Sequence, residues 1–248
     1  MNNLTNNRMK QLLSVLTFLF FSLSISAQAE DYKIPFTQKD ALWQTFESTK
    51  ERVDALQIPD NILKSISTQR LLDVCLDFPY LMDILLVDNL QDGIEGLVYE
   101  YNGFKELLSR KDLFEVLLTK QKSFADCIEE FEHRNDIEKG YFSVKNMVLG
   151  MIAAQDEVLS NLDEKNMKLL FQSSIDNCNQ MAEHTSVFSG LNFVPTQLLF
   201  LKVALKDSTY SKGLSEERYK YLTNLVKSPL FFDKNLTTEL IEYVTNIK

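Results

Sequence analysis

Residues 56–118 read LQIPDNILKSISTQRLLDVCLDFPYLMDILLVDNLQDGIEGLVYEYNGFKELLSRKDLFEVLL, and the fold class is decided there. Leu71, Cys75 and Phe78 fall at i, i+4 and i+7, with Leu72 and Leu76 beside them. The spacing returns in Leu81 and Leu85 after Pro79, and in Tyr101, Phe104 and Leu108 after the polar break at Asp88-Asn89. Apolar residues three and four apart line one stripe of an α-helix, whereas a half-buried strand alternates with period two. Short amphipathic helices in succession must pack on one another to hide their stripes. The fold class expected is all-α.

Upstream, Arg8 and Lys10 precede an apolar run from Leu12 to Ile25, and Ala27-Gln28-Ala29 presents small residues at a cleavage position. This is the pattern of a secretory signal peptide cleaved after Ala29. The apolar run is short for a membrane span of roughly 20 residues, and no cysteine lies near the site to carry a lipid. The expected organisation is a signal peptide at 1–29 and a single all-α domain at 30–248, with no later membrane span. Cleavage leaves 219 residues and changes the net charge from −9 to −11, a size that suits one domain. An acidic surface without Lys/Arg clusters argues against nucleic acid and anionic headgroups as partners. The protein is expected in the periplasm or the medium.

Seven glycines and five prolines in the whole chain favour helices with short joints. Thr37 with Asp40 marks a first helix reaching Leu56, Pro59 opens a short one, and Ser67 or Thr68 caps the next. Pro79 ends that helix and begins another. Helices follow at Leu90–Tyr101, at Leu113–Phe124 behind Asp112, and as a separate acidic segment at Asp126–Arg134. Asp136 caps a longer helix, Asp163 caps Glu164–His184, and Thr185–Val194 is the clearest loop. Pro195 starts a strongly apolar helix, Ser215 caps the penultimate one, and Thr237 or Thr238 begins the last. About ten helices fit either a repeat-like α-α superhelical stack or an irregular bundle.

The run 55–112, with LQIPDNILKSISTQRLLDVCLDFPYLMDI followed by YNGFKELLSRKD, resembles a group of exported helical proteins from Bacteroidetes-type bacteria with no assigned activity. The resemblance covers mainly the first half of the chain after residue 29. It implies export and an all-α fold, and it supplies no catalytic residues.

Reactive chemistry is sparse. His133 and His184 are the two histidines. Glu129 and His133 share a helix face near Glu132 and Asp136, but a zinc site needs three or four supported ligands, and a solvated acidic face is the expectation. Cys178 and His184, six apart, fall on different faces of a helix and make a poor nucleophile–base pair. There is no G-x-S-x-G, P-loop or G-x-G-x-x-G, so no nucleotide cofactor is implied. The pairs Glu95/Glu100, Glu129/Glu130 and Glu216/Glu217 read as solvated charge. Cys75, Cys127 and Cys178 read as small buried residues rather than as one disulfide and a free thiol. Their spacings of 52 and 51 suggest a repeat, but the register fails beyond Leu107-Leu108.

The aromatics Tyr99, Tyr101, Phe104, Tyr141, Phe142, Tyr219, Tyr221, Phe231, Phe232 and Tyr243 exceed what one helical stripe can bury; exposed aromatics mark contact surfaces, although core packing is the expectation for any single one. Asp207-Ser208-Thr209 resembles an O-glycosylation sequon and equally a helix-ending turn. Asn235-Leu236-Thr237 matches an N-glycosylation sequon of the eukaryotic secretory pathway. No catalytic, cofactor-binding or metal-ligating residue is assigned. The functional expectation is a non-catalytic binding module whose partner is a protein in the cell envelope or outside the cell. The alternative is an enzyme or small-ligand binder with a carboxylate- and tyrosine-lined pocket between helices.

Overall fold

The computed structural model describes residues 29–246, so the signal-peptide expectation falls, apart from Ala29, outside the described residues. Those residues form thirteen α-helices and three 3-10 helices, and no strand. The all-α expectation holds.

A 3-10 turn, Ala41–Thr45, precedes α1 (Thr49–Leu56). The first helix expected from Thr37 is therefore two pieces. Ser48 accepts from the Glu51 amide to start α1, and the Arg52 guanidinium donates to the carbonyls of Trp43 and Phe46 across the break. Pro59 opens α2 (Asp60–Leu63), and Ser67 caps α3 (Thr68–Leu76). Beyond Pro79 the chain makes only a 3-10 turn, Leu81–Leu85. Asn89 caps α4 (Leu90–Glu100), and the single extended residue Tyr101 separates it from α5 (Asn102–Ser109).

α6 runs unbroken over Leu113–Glu132. No break occurs at Asp126, because Leu117, Gln121, Phe124 and Ile128 keep one buried stripe running through it. α7 (Asp136–Ala153) is capped by Asn135, one residue before the expected Asp136, in a capping box with Glu138. α8 (Asp156–Leu159) leads to α9 (Glu164–Glu183), capped by Asp163 as expected. The expected loop at 185–194 holds a 3-10 turn, Gly190–Phe193. Its Asn192 donates to the Ser143 carbonyl at 2.8 Å and so ties the turn to α7.

α10 (Val194–Lys206) carries Pro195 in its first turn. α11 (Ser208–Gly213) is a helix the sequence reading omits; Asp207 closes α10, as the helix-ending turn predicts, and its side chain also caps the start of α11. Ser215 caps α12 (Glu216–Lys227). α13 (Lys234–Thr245) begins at Asp233, ahead of Thr237, because the Asp233 carboxylate accepts the amides of Asn235 and Leu236.

Two helices organise the packing. α7 touches α3, α4, α6, α8, α10 and the turns at Leu81–Leu85 and Gly190–Phe193. α10 takes α9, α11, α12 and α13 around the rest of its circumference, and its residues from Val194 to Lys202 are buried without a break. A repeat stack touches only its sequence neighbours, so this arrangement is the irregular bundle. At their crossing, Gly150 of α7 meets Pro195 of α10 so closely that an added Cβ would stand 2.8 Å from the proline Cβ. One buried apolar cluster extends from Ala29 to Val244.

Candidate functional site

The residues singled out for chemistry are dispersed. Glu129 and His133 are exposed at the end of α6. His184 Nδ1 lies 2.9 Å from Glu132 Oε1, and that contact holds the Glu132 carboxyl below its usual range. The pair fastens the end of α6 to the segment after α9. Among the described residues no group of three or more His, Cys, Asp or Glu is placed to hold a metal ion. Cys178 sits against Thr196, away from the His184–Glu132 contact, and burial pushes its thiol up to about 11. All three cysteines are free thiols; Cys75 is fully buried, and Cys127 and Cys178 partly so. Glu100, Glu130, Glu216 and Glu217 are exposed.

The aromatics divide. Tyr101, Phe104 and Phe142 are buried, Phe232 and Tyr243 are half-buried, and Tyr99, Tyr141, Tyr219, Tyr221 and Phe231 are exposed.

A groove opens between α3, α6 and α7. One hollow of about 480 Å³ lies over Phe124, Phe131 and Phe142, and a second of about 280 Å³ carries it past the end of α3 to Phe78, Pro79 and Thr37. Leu76, Asp77, Tyr141 and Lys145 line both, which makes them one channel. The floor is aromatic because α6 and α7 face each other through rings. Phe142 stacks on Phe131 at 4.0 Å and meets Phe124 at 4.9 Å.

The rim is charged in pairs. α3 presents Asp73 and Asp77 one helical turn apart. Lys120 of α6 reaches Asp73 at 2.7 Å, and Lys145 of α7 reaches Asp77 at 2.5 Å. Lys120 Nζ also stands 5.7 Å from the Phe124 ring centroid. Arg70 donates to the Tyr32 carbonyl at 3.0 Å. The two lysine pairs are solvent-accessible and contribute about 0–1 kcal/mol each. Such pairs open readily, freeing a lysine for a carboxylate that arrives from outside.

Lining this groove are four cations (Lys39, Arg70, Lys120, Lys145) and three carboxylates (Asp73, Asp77, Glu138), on a chain whose net charge is −9. No side chain in it is paired as nucleophile and base. Sequence reasoning named Tyr141 and Phe142 but missed Arg70, Lys120 and Lys145, whose roles depend on helices brought together from distant parts of the chain. Comparison with protein families, with curated proteins and with solved structures returns no match to this chain.

Proposed function

We propose that the protein is a non-catalytic binding module, and that the groove between α3, α6 and α7 holds an extended segment of a protein partner. The observation that carries this reading is the continuous aromatic floor beneath a rim of exchangeable ion pairs. Aromatic floors supply most of the contact energy in such sites, and charges at the rim set register and orientation. The segment expected is apolar at alternating positions, to reach Phe131 and Phe142, with acidic residues placed to displace Asp73 from Lys120 or Asp77 from Lys145. The pattern at residues 1–29 and the resemblance of residues 55–112 support an exported protein, with its partner in the cell envelope or outside the cell.

A photo-crosslinker placed at position 141, with position 219 as a control exposed elsewhere, tests this reading in native cells. The expected result is one adduct specific to position 141, mapping to an apolar-acidic segment. A synthetic peptide of that segment should bind the purified protein, and Tyr141→Ala with Lys145→Glu should weaken it at least tenfold. Equal labelling from both positions, or a mapped peptide that binds the double variant unchanged, sinks the proposal.

A further inference from the structure

A larger opening of about 800 Å³ lies between α4, α5, α8 and α10, within the roughly 300–1,000 Å³ range of small-ligand sites. Lys202 of α10 is one of its lining residues and is only 8% exposed. Its ammonium donates to the Ala154 carbonyl at 2.9 Å, just past the end of α7. Among the described residues no carboxylate reaches it at ion-pair distance, and the Ala154 carbonyl is its one hydrogen-bond acceptor. Burial holds its pKa below the ordinary lysine value, against the pull of Asp156, Glu157 and Glu95. A methionine would fill the same space without the cost of a buried charge. It would also leave the Ala154 carbonyl unpaired, which the lysine satisfies from the wall of an open cleft.

The surrounding groups are mixed in sign. Lys105, Glu95, Asp156 and Glu157 also line the cleft, with Asp156 shared by Lys206 at 3.0 Å. The Gln91 amide lies 2.9 Å from Glu95 and 3.2 Å from the buried Gln155, whose own amide donates to the Met151 carbonyl. On the outer side, the Tyr99 ring is 92% exposed, near Val98 and Leu108. An anion entering this cleft meets three carboxylates against two ammonium groups. A cation meets an ammonium whose charge is poorly screened where it is buried. Hydroxyl groups donate and accept at once and carry no charge.

We infer that this cleft binds an uncharged, polyhydroxylated ligand of the sugar type. Lys202 donates to hydroxyls at its base, Glu95 and Glu157 accept from them, and the Tyr99 ring covers the ligand's apolar face. The site is separate from the groove beside α3, and neither reading depends on the other.

Thermal unfolding of the full chain tests this with one ring skeleton in three charge states: glucosamine as cation, glucose and N-acetylglucosamine as neutral forms, and glucuronate as anion. Neutral mono- and disaccharides are expected to raise Tm with concentration, while the charged forms do not. Lys202→Met is expected to abolish the ligand-induced shift. Tyr99→Ala, at an exposed position, keeps the fold and weakens binding about five- to tenfold. Tyr141→Ala in the groove leaves the sugar response intact. Absence of a shift with every neutral sugar overturns the inference. So does an equal shift with glucosamine or glucuronate, or a shift that survives Lys202→Met.

Discussion

Asn102 fastens two segments through a single side chain. Its amide group accepts from the Ile58 backbone N–H at 3.0 Å and donates to the Ile58 carbonyl at 2.9 Å. Gln57 completes the clamp: its carbonyl oxygen accepts the Asn102 amide at 2.9 Å, and its nitrogen donates to the Glu100 carbonyl at 2.8 Å. Ile58 is 1% exposed and lies between α1 and α2, where no helix supplies partners for its backbone. Buried backbone groups must be paired, and only the side chain of Asn102 does so here. Asn102→Ala leaves one buried donor and one buried acceptor unpaired, at about 1–3 kcal/mol each. The expected loss is about 2–4 kcal/mol, read as a lower denaturation midpoint with an unchanged m-value. Asn102→Asp keeps the acceptor but sets a carboxylate against the Ile58 carbonyl, so it is expected to be no milder. A loss under about 0.5 kcal/mol for the alanine variant, the range of an ordinary surface change, would mean that water replaces the clamp. In the sequence Asn102-Gly103 reads as a joint, and nothing local shows that its partner lies 44 residues upstream.

At the scale of elements, α4 carries two glycines with opposite roles. Gly93 faces the turn at Leu81–Leu85, and a Cβ there would stand 2.8 Å from the Ile84 carbonyl oxygen and 2.5 Å from Ile84 Cγ1. Gly96, one turn along, has nothing within 4 Å. Gly96→Ala is expected to raise stability by about 0.5–1 kcal/mol through helix propensity alone. Gly93→Ala gains the same propensity but pushes α4 off a backbone that cannot yield, for a net loss of about 1–3 kcal/mol. Tm shifts of opposite sign test the pair, and shifts of the same sign would refute the close packing of α4 on the turn. These glycines lower confidence in a helix when read locally, yet α4 forms almost as expected. Caps were the most legible feature, since Ser67, Asp163 and Ser215 each act through their own next turn. Errors came where a polar residue looked like a boundary. Asp126 sits on the outer face of a helix whose buried stripe never stops. Thr237 looked like a start, but it is buried and bonded to Gln197 one turn inside α13.

Across the whole molecule, legibility falls with sequence separation. The all-α class follows from spacing within single turns, whereas the groove depends on Lys120 meeting Asp73 and Lys145 meeting Asp77, pairs 47 and 68 residues apart. The Lys202 cleft likewise joins α4 and α5 to α8 and α10. The cleft therefore exists only while α7 and α10 hold the two halves together, whereas the groove lies wholly among elements up to α7. Val148, Leu149 and Met151 of α7 and Phe200 and Ala204 of α10 are fully buried, and α7 packs directly on α10. Separating them would expose the centre of the apolar cluster, so the helices before α7 and those after α10 are expected to unfold as one unit. Calorimetric and van't Hoff enthalpies should then agree, and amides of both helices should exchange only through global unfolding. Exchange of α10–α13 at a lower free energy than α3–α7 would divide the chain into two folding units. Ligand binding at the Lys202 cleft would then stabilise the weaker unit first, because the cleft draws lining residues from both sides of that division.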